Sequence, residues 1–399
     1  MKKYFSNILN KILMAAAVSV LAVSLPSCDS VIYDYEGDCD PVENPDEPED
    51  PNKPDRPDRP DRPDRPDRPD KPDTPDTPDT PDTPDTPDEP EETVYYVEYI
   101  FDMNMQFVDA FKENVKMVDL YVFTKTGNFV KRYHEERAEQ LMGEHYLMEL
   151  TDLPAGSYEL IAWCGVNNGG YFSVPTDLEI GQKFDVTCTM STFEDGAAAD
   201  YQNKNLNALF HGKNEDATYT TDPGAQIHTI YLTKNTNNIN LTLQHKEGLE
   251  FTKDRFAVVM TDNNGYMLYD NSLPERNTDI EYRPYRTVMG TTTRAADGAT
   301  TGNFMQVELS TARLMTDHNP VITVTDTETG RVVFSIPIIK WALQLRSANY
   351  KSIPPQEYLD REDNYNLMLW LDNNEDGWFG AEIQIKDWHV IDDELDITK

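Results

Sequence analysis

The chain has 399 residues and a formal charge of −37. That length allows two or three domains, and that charge argues against nucleic acid and anionic membrane surfaces as partners. Tyr, Val, Thr and Ile recur in short runs, which favours β structure.

Lys2, Lys3 and Lys11 form a basic start, and Ile12 to Leu25 is an apolar stretch of 14 residues. It is too short to span a bilayer as a helix and reads as a signal peptide, residues 1–27. Leu25-Pro26-Ser27-Cys28 closes it in the pattern of a lipoprotein signal. Cys28 is therefore the expected lipidation site, with secretion of a free Cys28 as the alternative. Each buried methylene is worth about 0.8 kcal/mol, so two or three acyl chains hold a protein nearly irreversibly. The mature chain would begin with a lipidated segment, residues 28–40.

Residues 41–92 read as a tether. Pro-Asp-Arg triplets run from Pro54 to Arg68, and Pro-Asp-Thr triplets from Pro72 to Thr86. Proline at every third position matches the turn of polyproline II. Apart from Val42 it has no apolar side chain beyond its prolines to form a core, so the segment is expected to be disordered or extended. Its 20 acidic and 7 basic residues favour extension by self-repulsion. Fully extended as polyproline II it would reach about 160 Å, against roughly 40 Å as a flexible coil. A ligand for a proline-binding groove and O-glycosylation of the threonines are the alternatives.

From Thr93 the pattern becomes short strands with turns between them. Val118, Leu120 and Val122 alternate on one face of a strand over 115–123. Leu153-Pro154-Ala155-Gly156 reads as a turn. The strand 157–163 follows, with Tyr158, Leu160 and Ala162 on one side. A strand over 226–233 closes this first body. A second starts near Thr236, where Ile239, Leu241 and Leu243 alternate with polar residues. Strands are expected at 256–261, 305–309, 321–325 and 332–338, the last alternating Val332, Phe334, Ile336 and Ile338. Short helices are expected at 339–347 and 355–361. A final hairpin would join 365–371 to 381–390, with a bulge between Ile385 and Trp388 to explain a parity switch. Residues 289–301, rich in Thr, Gly and Ala, should be a mobile loop. The architecture is all-β: two tandem sandwiches, residues 93–235 and 236–399.

Catalytic motifs are missing: there is no His-Glu-x-x-His, no Gly-x-Ser-x-Gly, no phosphate loop and no dinucleotide fingerprint. His134-Glu135-Glu136 and Glu144-His145 stand isolated. Asp372, Asn374 and Asp376, followed by Gly377, fit the first half of a calcium loop. Position 12 of that loop holds Ile383, and a polar hairpin turn explains the same residues. Beyond Cys28 and Cys39, Cys164 and Cys188 could pair or remain two buried thiols. No enzyme activity, cofactor or small-molecule substrate is expected.

Several segments in order resemble the FimB-type fimbrial anchor lipoproteins of type V pili in Gram-negative anaerobes. They are Cys28-Asp-Ser-Val-Ile-Tyr33 through Cys39, Tyr99 to Met105, Val108 to Phe111, and Val118 to Phe123. Leu153 to Gly156 with Tyr158, Ala162 to Gly165, Gln356 to Arg361 and Ile385 to Trp388 complete the set. The triplet tether departs from the family pattern, in which the Cys39 region runs almost directly into the first strand. The resemblance implies that both sandwiches are transthyretin-like. It also implies an outer-membrane lipoprotein at the base of a fimbrium that holds the stalk and limits its length. The partner would be a fimbrial stalk subunit, bound by strand complementation or edge docking. Only 11 residues follow Trp388, so this chain is expected to accept a strand rather than donate one. The alternative function is a stand-alone surface adhesin or glycan-binding lipoprotein.

Overall fold

A computed structural model describes residues 92–391, apart from 137–144, 168, 184, 276, 294–299, 345, 347–349, 375–376 and 386–387. The signal peptide, Cys28, Cys39 and the tether up to residue 91 lie outside the described residues. All described residues fall in one compact unit, Pro84–Lys399.

The first strands are β1 (Thr93–Ile100), β2 (Met117–Thr124), β3 (Phe129–Glu136), β4 (Tyr146–Glu149) and β5 (Gly156–Cys164). One helical turn, α1 (Phe111–Asn114), precedes β2. Three short strands follow: β6 (Phe172–Ser173), β7 (Cys188–Met190) and β8 (Asp200–Gln202). Then come β9 (Phe210–Tyr219) and β10 (Gly224–Lys234). A seven-stranded sheet runs β3-β2-β5-β9-β10-β1-β4.

β2 is buried on both faces, which is why it reads as a nearly continuous apolar run. Val118, Leu120 and Val122 enter one core with Tyr158, Leu160 and Ala162 of β5. Tyr121 and Phe123 enter a second core with Ile161 and Trp163. β10 turns the corner of the sheet: residues 224–231 pair parallel with β1, and Leu232 to Lys234 pair antiparallel with β9. The strands cross so closely that a Cβ on Gly212 would lie 2.6 Å from the Tyr231 carbonyl oxygen. The Leu153-Pro154 turn is fastened by the Tyr158 hydroxyl, which donates to the Pro154 carbonyl at 2.8 Å.

The later elements are β11 (Thr236–His245), β12 (Phe256–Asp262), β13 (Tyr266–Met267), β14 (Ile280–Tyr282), β15 (Arg286–Thr293) and β16 (Thr300–Ala312). β17 (Val321–Asp326), β18 (Val332–Pro337), α2 (Ile338–Gln344) and α3 (Pro355–Arg361) follow, then β19 (Asn364–Asn374), β20 (Gly377–Ile385) and β21 (Trp388–Ile391). A six-stranded sheet, β15-β16-β11-β19-β20-β21, and a five-stranded sheet, β18-β17-β12-β14-β8, enclose the second core. β8 belongs to the first half of the chain yet pairs parallel with β14. β7 likewise pairs with β13. The excursion between β5 and β9 thus adds strands to the sheets of the second half. The chain is mostly β.

Three local expectations are corrected. Val332 is 47% exposed while Val333, Phe334 and Ile336 are buried, because the ladder shifts register at Val324/Thr325 opposite them. The parity switch between Ile385 and Trp388 marks a reversal: Ile385 pairs with Trp388, so two strands stand where one was expected. The hairpin does contain a bulge, at Trp370/Leu371. Most of the expected loop 289–301 is strand, in β15 and β16, and 294–299 lie outside the described residues.

The two halves meet through polar contacts. Asn235, between β10 and β11, is fully buried and exchanges side-chain amide hydrogen bonds with Asn271. Arg313 donates to the Asn271 carbonyl at 2.7 Å and grips Asp360 through two bonds of 2.8 Å. His211 on β9 donates from Nε2 to the Tyr269 carbonyl at 2.8 Å, its ring 4.5 Å from that of Trp163.

Burial lowers the His211 pKa from 6.5 to about 4. The unfolded chain takes up a proton near pH 6.5 that the folded chain refuses. Stability from the neutral ring is therefore complete above pH 6.5 and lost as pH falls toward 4, about 3 kcal/mol in all. Urea unfolding of His211→Gln should show a smaller loss over that range than the parent chain; equal losses would refute the assignment. Asn235→Ala should cost about 2 kcal/mol, because it strands the buried amide of Asn271. A double-mutant cycle with Asn271→Ala should give a coupling of about 1 kcal/mol, whereas strict additivity would show that the pair contributes nothing jointly.

Candidate functional site

A protein that accepts a strand needs free main-chain groups beside an apolar surface. β12 provides both. On one side it pairs with β17 along its length, from Phe256 to Thr261. On the other, β14 pairs only with Met260 to Asp262. The Arg255 carbonyl points toward the β17 side, where it accepts from the Thr327 N–H at 3.0 Å. Strand alternation then turns the N–H and C=O of Phe256 and Val258 to the opposite side. No described strand pairs with them there.

The chain itself creates this gap. After Tyr282 it runs through Arg283 and Pro284, which cannot donate to a ladder. The Tyr285 N–H then bonds to Glu308 of the other sheet at 2.9 Å. A cleft of about 510 Å³ opens where β14 would have continued. Phe256, Val258, Met305 and Val307 supply apolar lining, with Lys253 and Arg283 also on its walls. The Arg283 guanidinium pairs with Asp195 and, at 2.6 Å, with Glu281. One end of β12 is fastened by Arg255, which meets Asp326 at 2.7 Å. Sequence reasoning missed this edge because it depends on where β14 stops. Pro284 was the available signal.

The outer edge of β3 is guarded differently. Its partner β2 carries Asp119, which is 1% exposed. Arg132 and His134 of β3 both reach this carboxylate, His134 at 2.9 Å. These residues border a cleft of about 490 Å³ that Asn167, Ser173 and Ser191 also line. Burial, then the nearby Asp119 charge, raises the Tyr121 pKa. The Tyr121 hydroxyl stays protonated and donates to the Pro175 carbonyl at 2.8 Å. The charges of β3 hold that strand in place and deter pairing by a further chain.

Other expected site residues divide clearly. Cys28 and Asp376 lie outside the described residues. Asp372 and Asn374 sit on β19, where Asn374 pairs with Gly377 across the hairpin. His245 Nε2 lies 3.0 Å from Asn373 Oδ1 and 3.8 Å from Asp372 Oδ1. Among the described residues no three His, Cys, Asp or Glu side chains cluster as metal ligands. Cys164 and Cys188 are free and buried, one in each core. Burial raises both thiol pKa values, which keeps them as unreactive thiols. His145 Nδ1 lies 3.4 Å from Asp109 Oδ2.

Among curated proteins, none matches the chain in sequence. Solved structures do. A candidate adhesin of Bacteroides thetaiotaomicron is 29% identical with a TM-score of 0.64, over 76% of this chain and 98% of that one. A candidate polysaccharide-binding protein of the same organism is 26% identical with a TM-score of 0.63, over 76% and 99%. The fimbrial anchor protein Mfa2 of Porphyromonas gingivalis shares the fold, with a TM-score of 0.57 at 14% identity over 75% and 99%. The family of fimbrillin-A associated anchor proteins Mfa1 and Mfa2 matches residues 80–394, which include every described strand. The chain belongs to that family of fimbrial anchor proteins.

Proposed function

We propose that this protein is the lipid-anchored base of a cell-surface fimbrium. Acyl chains on Cys28 would hold it in the outer membrane, and the triplet tether would lift the body away from the lipid. The body, read as two transthyretin-like sandwiches divided near residue 235, would seat the first stalk subunit and limit the length of the filament. Family membership supports the fimbrial role, and the Leu25-Pro26-Ser27-Cys28 run supports the lipid.

One observation carries the docking step: on the side of β12 away from β17, no described strand pairs with Phe256 and Val258, and a partly apolar cleft opens there. The occupant in this reading is an extended stalk segment whose alternate side chains are apolar. Main-chain hydrogen bonds to Phe256 and Val258 would supply affinity. Pockets for every second side chain would supply specificity.

The relatives described as a candidate adhesin and a candidate polysaccharide-binding protein favour a second reading, adhesion without a pilus. Genes for stalk subunits beside this one would support the base reading; a gene standing alone would support the adhesin.

Two measurements test the proposal. Cys28→Ala should move the protein from the membrane to the soluble fraction, and a mutant that stayed membrane-bound and acylated would refute the anchor. Adding stalk subunit should slow amide exchange at Phe256 and Val258. Slowing at another edge would move the docking site, and no slowing anywhere would end the strand-acceptor idea.

A further inference from the structure

The outer face of the six-stranded sheet carries a pattern that anchoring does not explain. Side chains on this face lie in rows across the strands. One row reads Gly290, Phe304, Gln244, Trp370 and Glu382, from β15 to β20. The next contains Gln306, Thr242 and Met368. Beyond them Asn240 donates to Asn366 at 3.0 Å, and Asn238 to Asn364 at 3.3 Å. The face is therefore rich in amides, each offering both donors and an acceptor.

Most of its described charges come in pairs. Arg286 meets Glu308, and Lys246 lies 3.6 Å from Glu382. Asp372, at the end of the same β19 row, lies 3.8 Å from His245. On a chain of formal charge −37, a face whose described charges nearly balance stands apart. It would not repel a neutral polymer as the rest of the surface repels an anionic one.

Two aromatic rings interrupt the amides. Trp370 is half-buried, and among the described residues no side chain stacks on it or accepts from its indole N–H. Phe304 lies across Gly290, where a Cβ would come within 2.2 Å of its ring. The two aromatic positions are two strands apart in the same row, so their Cα atoms are separated by roughly 10 Å. Gln244 stands between them. That separation is similar to the run of a disaccharide. Sugar rings stack their apolar C–H faces on aromatic surfaces, while their hydroxyls take amide partners.

We propose that this face binds a neutral, unbranched polysaccharide, with Trp370 and Phe304 as stacking platforms and Gln244, Thr242, Asn240 and Gln306 as hydroxyl partners. The chain of sugars would cross the strands along the row from Phe304 to Trp370. Such binding would serve a fimbrial base and a stand-alone adhesin equally.

The test is gel retardation of the detergent-purified full chain in native gels containing one of four neutral, unbranched polymers: hydroxyethylcellulose, mixed-linkage β-glucan, glucomannan or pullulan. At least one should retard it. Trp370→Ala and Phe304→Ala should each weaken that binding about tenfold, and Trp370→Tyr should keep it within about threefold. Gln244→Ala, a half-buried polar change, should weaken binding with an unchanged melting temperature. Failure of all four polymers to retard the chain would overturn the proposal. So would retardation by polygalacturonate alone, or binding untouched by both alanine variants.

Discussion

Asn235 is the constraint on which the rest of the structure depends. It is the single residue between β10 and β11, and no part of it reaches solvent. Its backbone N–H bonds to the Leu209 carbonyl at 2.7 Å, and its side chain pairs with Asn271. Asn271 adopts a φ of +67°, which few residues other than Asn and Gly accept readily. Arg313 and Asp360 complete the network from β16's end and from α3, and Gln356 adds a bond to Asp360 at 3.0 Å. A buried amide left half-paired costs about 1–3 kcal/mol, so these groups fix the direction in which β11 leaves β10. Arg361 strengthens the joint by donating to the Asp102 carbonyl at 2.8 Å and lying 4.3 Å over the Phe107 ring.

The excursion between β5 and β9 ties the halves a second time. It lays β7 and β8 beside β13 and β14. Trp163 locks its base by donating to the Val186 carbonyl at 3.1 Å. The same core cluster holds Trp163, Val186 and Leu241, so apolar packing runs without a break from the first sheet into the second half. For the proposed role of passing pull from a filament to a lipid, a joint made of both buried amides and shared core is physically apt. Separation would have to expose both at once.

Much of this fold was legible in the chain because alternation is strong where one face meets the core. Ile239, Leu241 and Leu243 are buried as their spacing required, and α3 begins at Pro355 and ends at Arg361 as expected. The short strands β6, β7, β8 and β13 were not legible, since two or three residues carry no period. Parallel pairing of β1 with β10 and of β11 with β19 was also hidden, because each joins segments more than a hundred residues apart. The open edge of β12 escaped for the same reason: a gap in a ladder is a property of two strands. The proposed glycan-binding face was dispersed over five strands, each of which alone reads as an ordinary solvated stripe. Cys28 remains the clearest single signal in the sequence, and its proposed lipidation is chemistry that strand patterns do not encode.

An anchor at the base of a filament has a consequence that no fragment can imitate. The most direct measurement is deletion of the gene followed by electron microscopy of the cells and of the culture fluid. Filaments should be shed into the medium or grow abnormally long, and reintroducing the chain should return them to the cell at ordinary length. Filaments that remain attached and of normal length in the deletion strain would contradict the account.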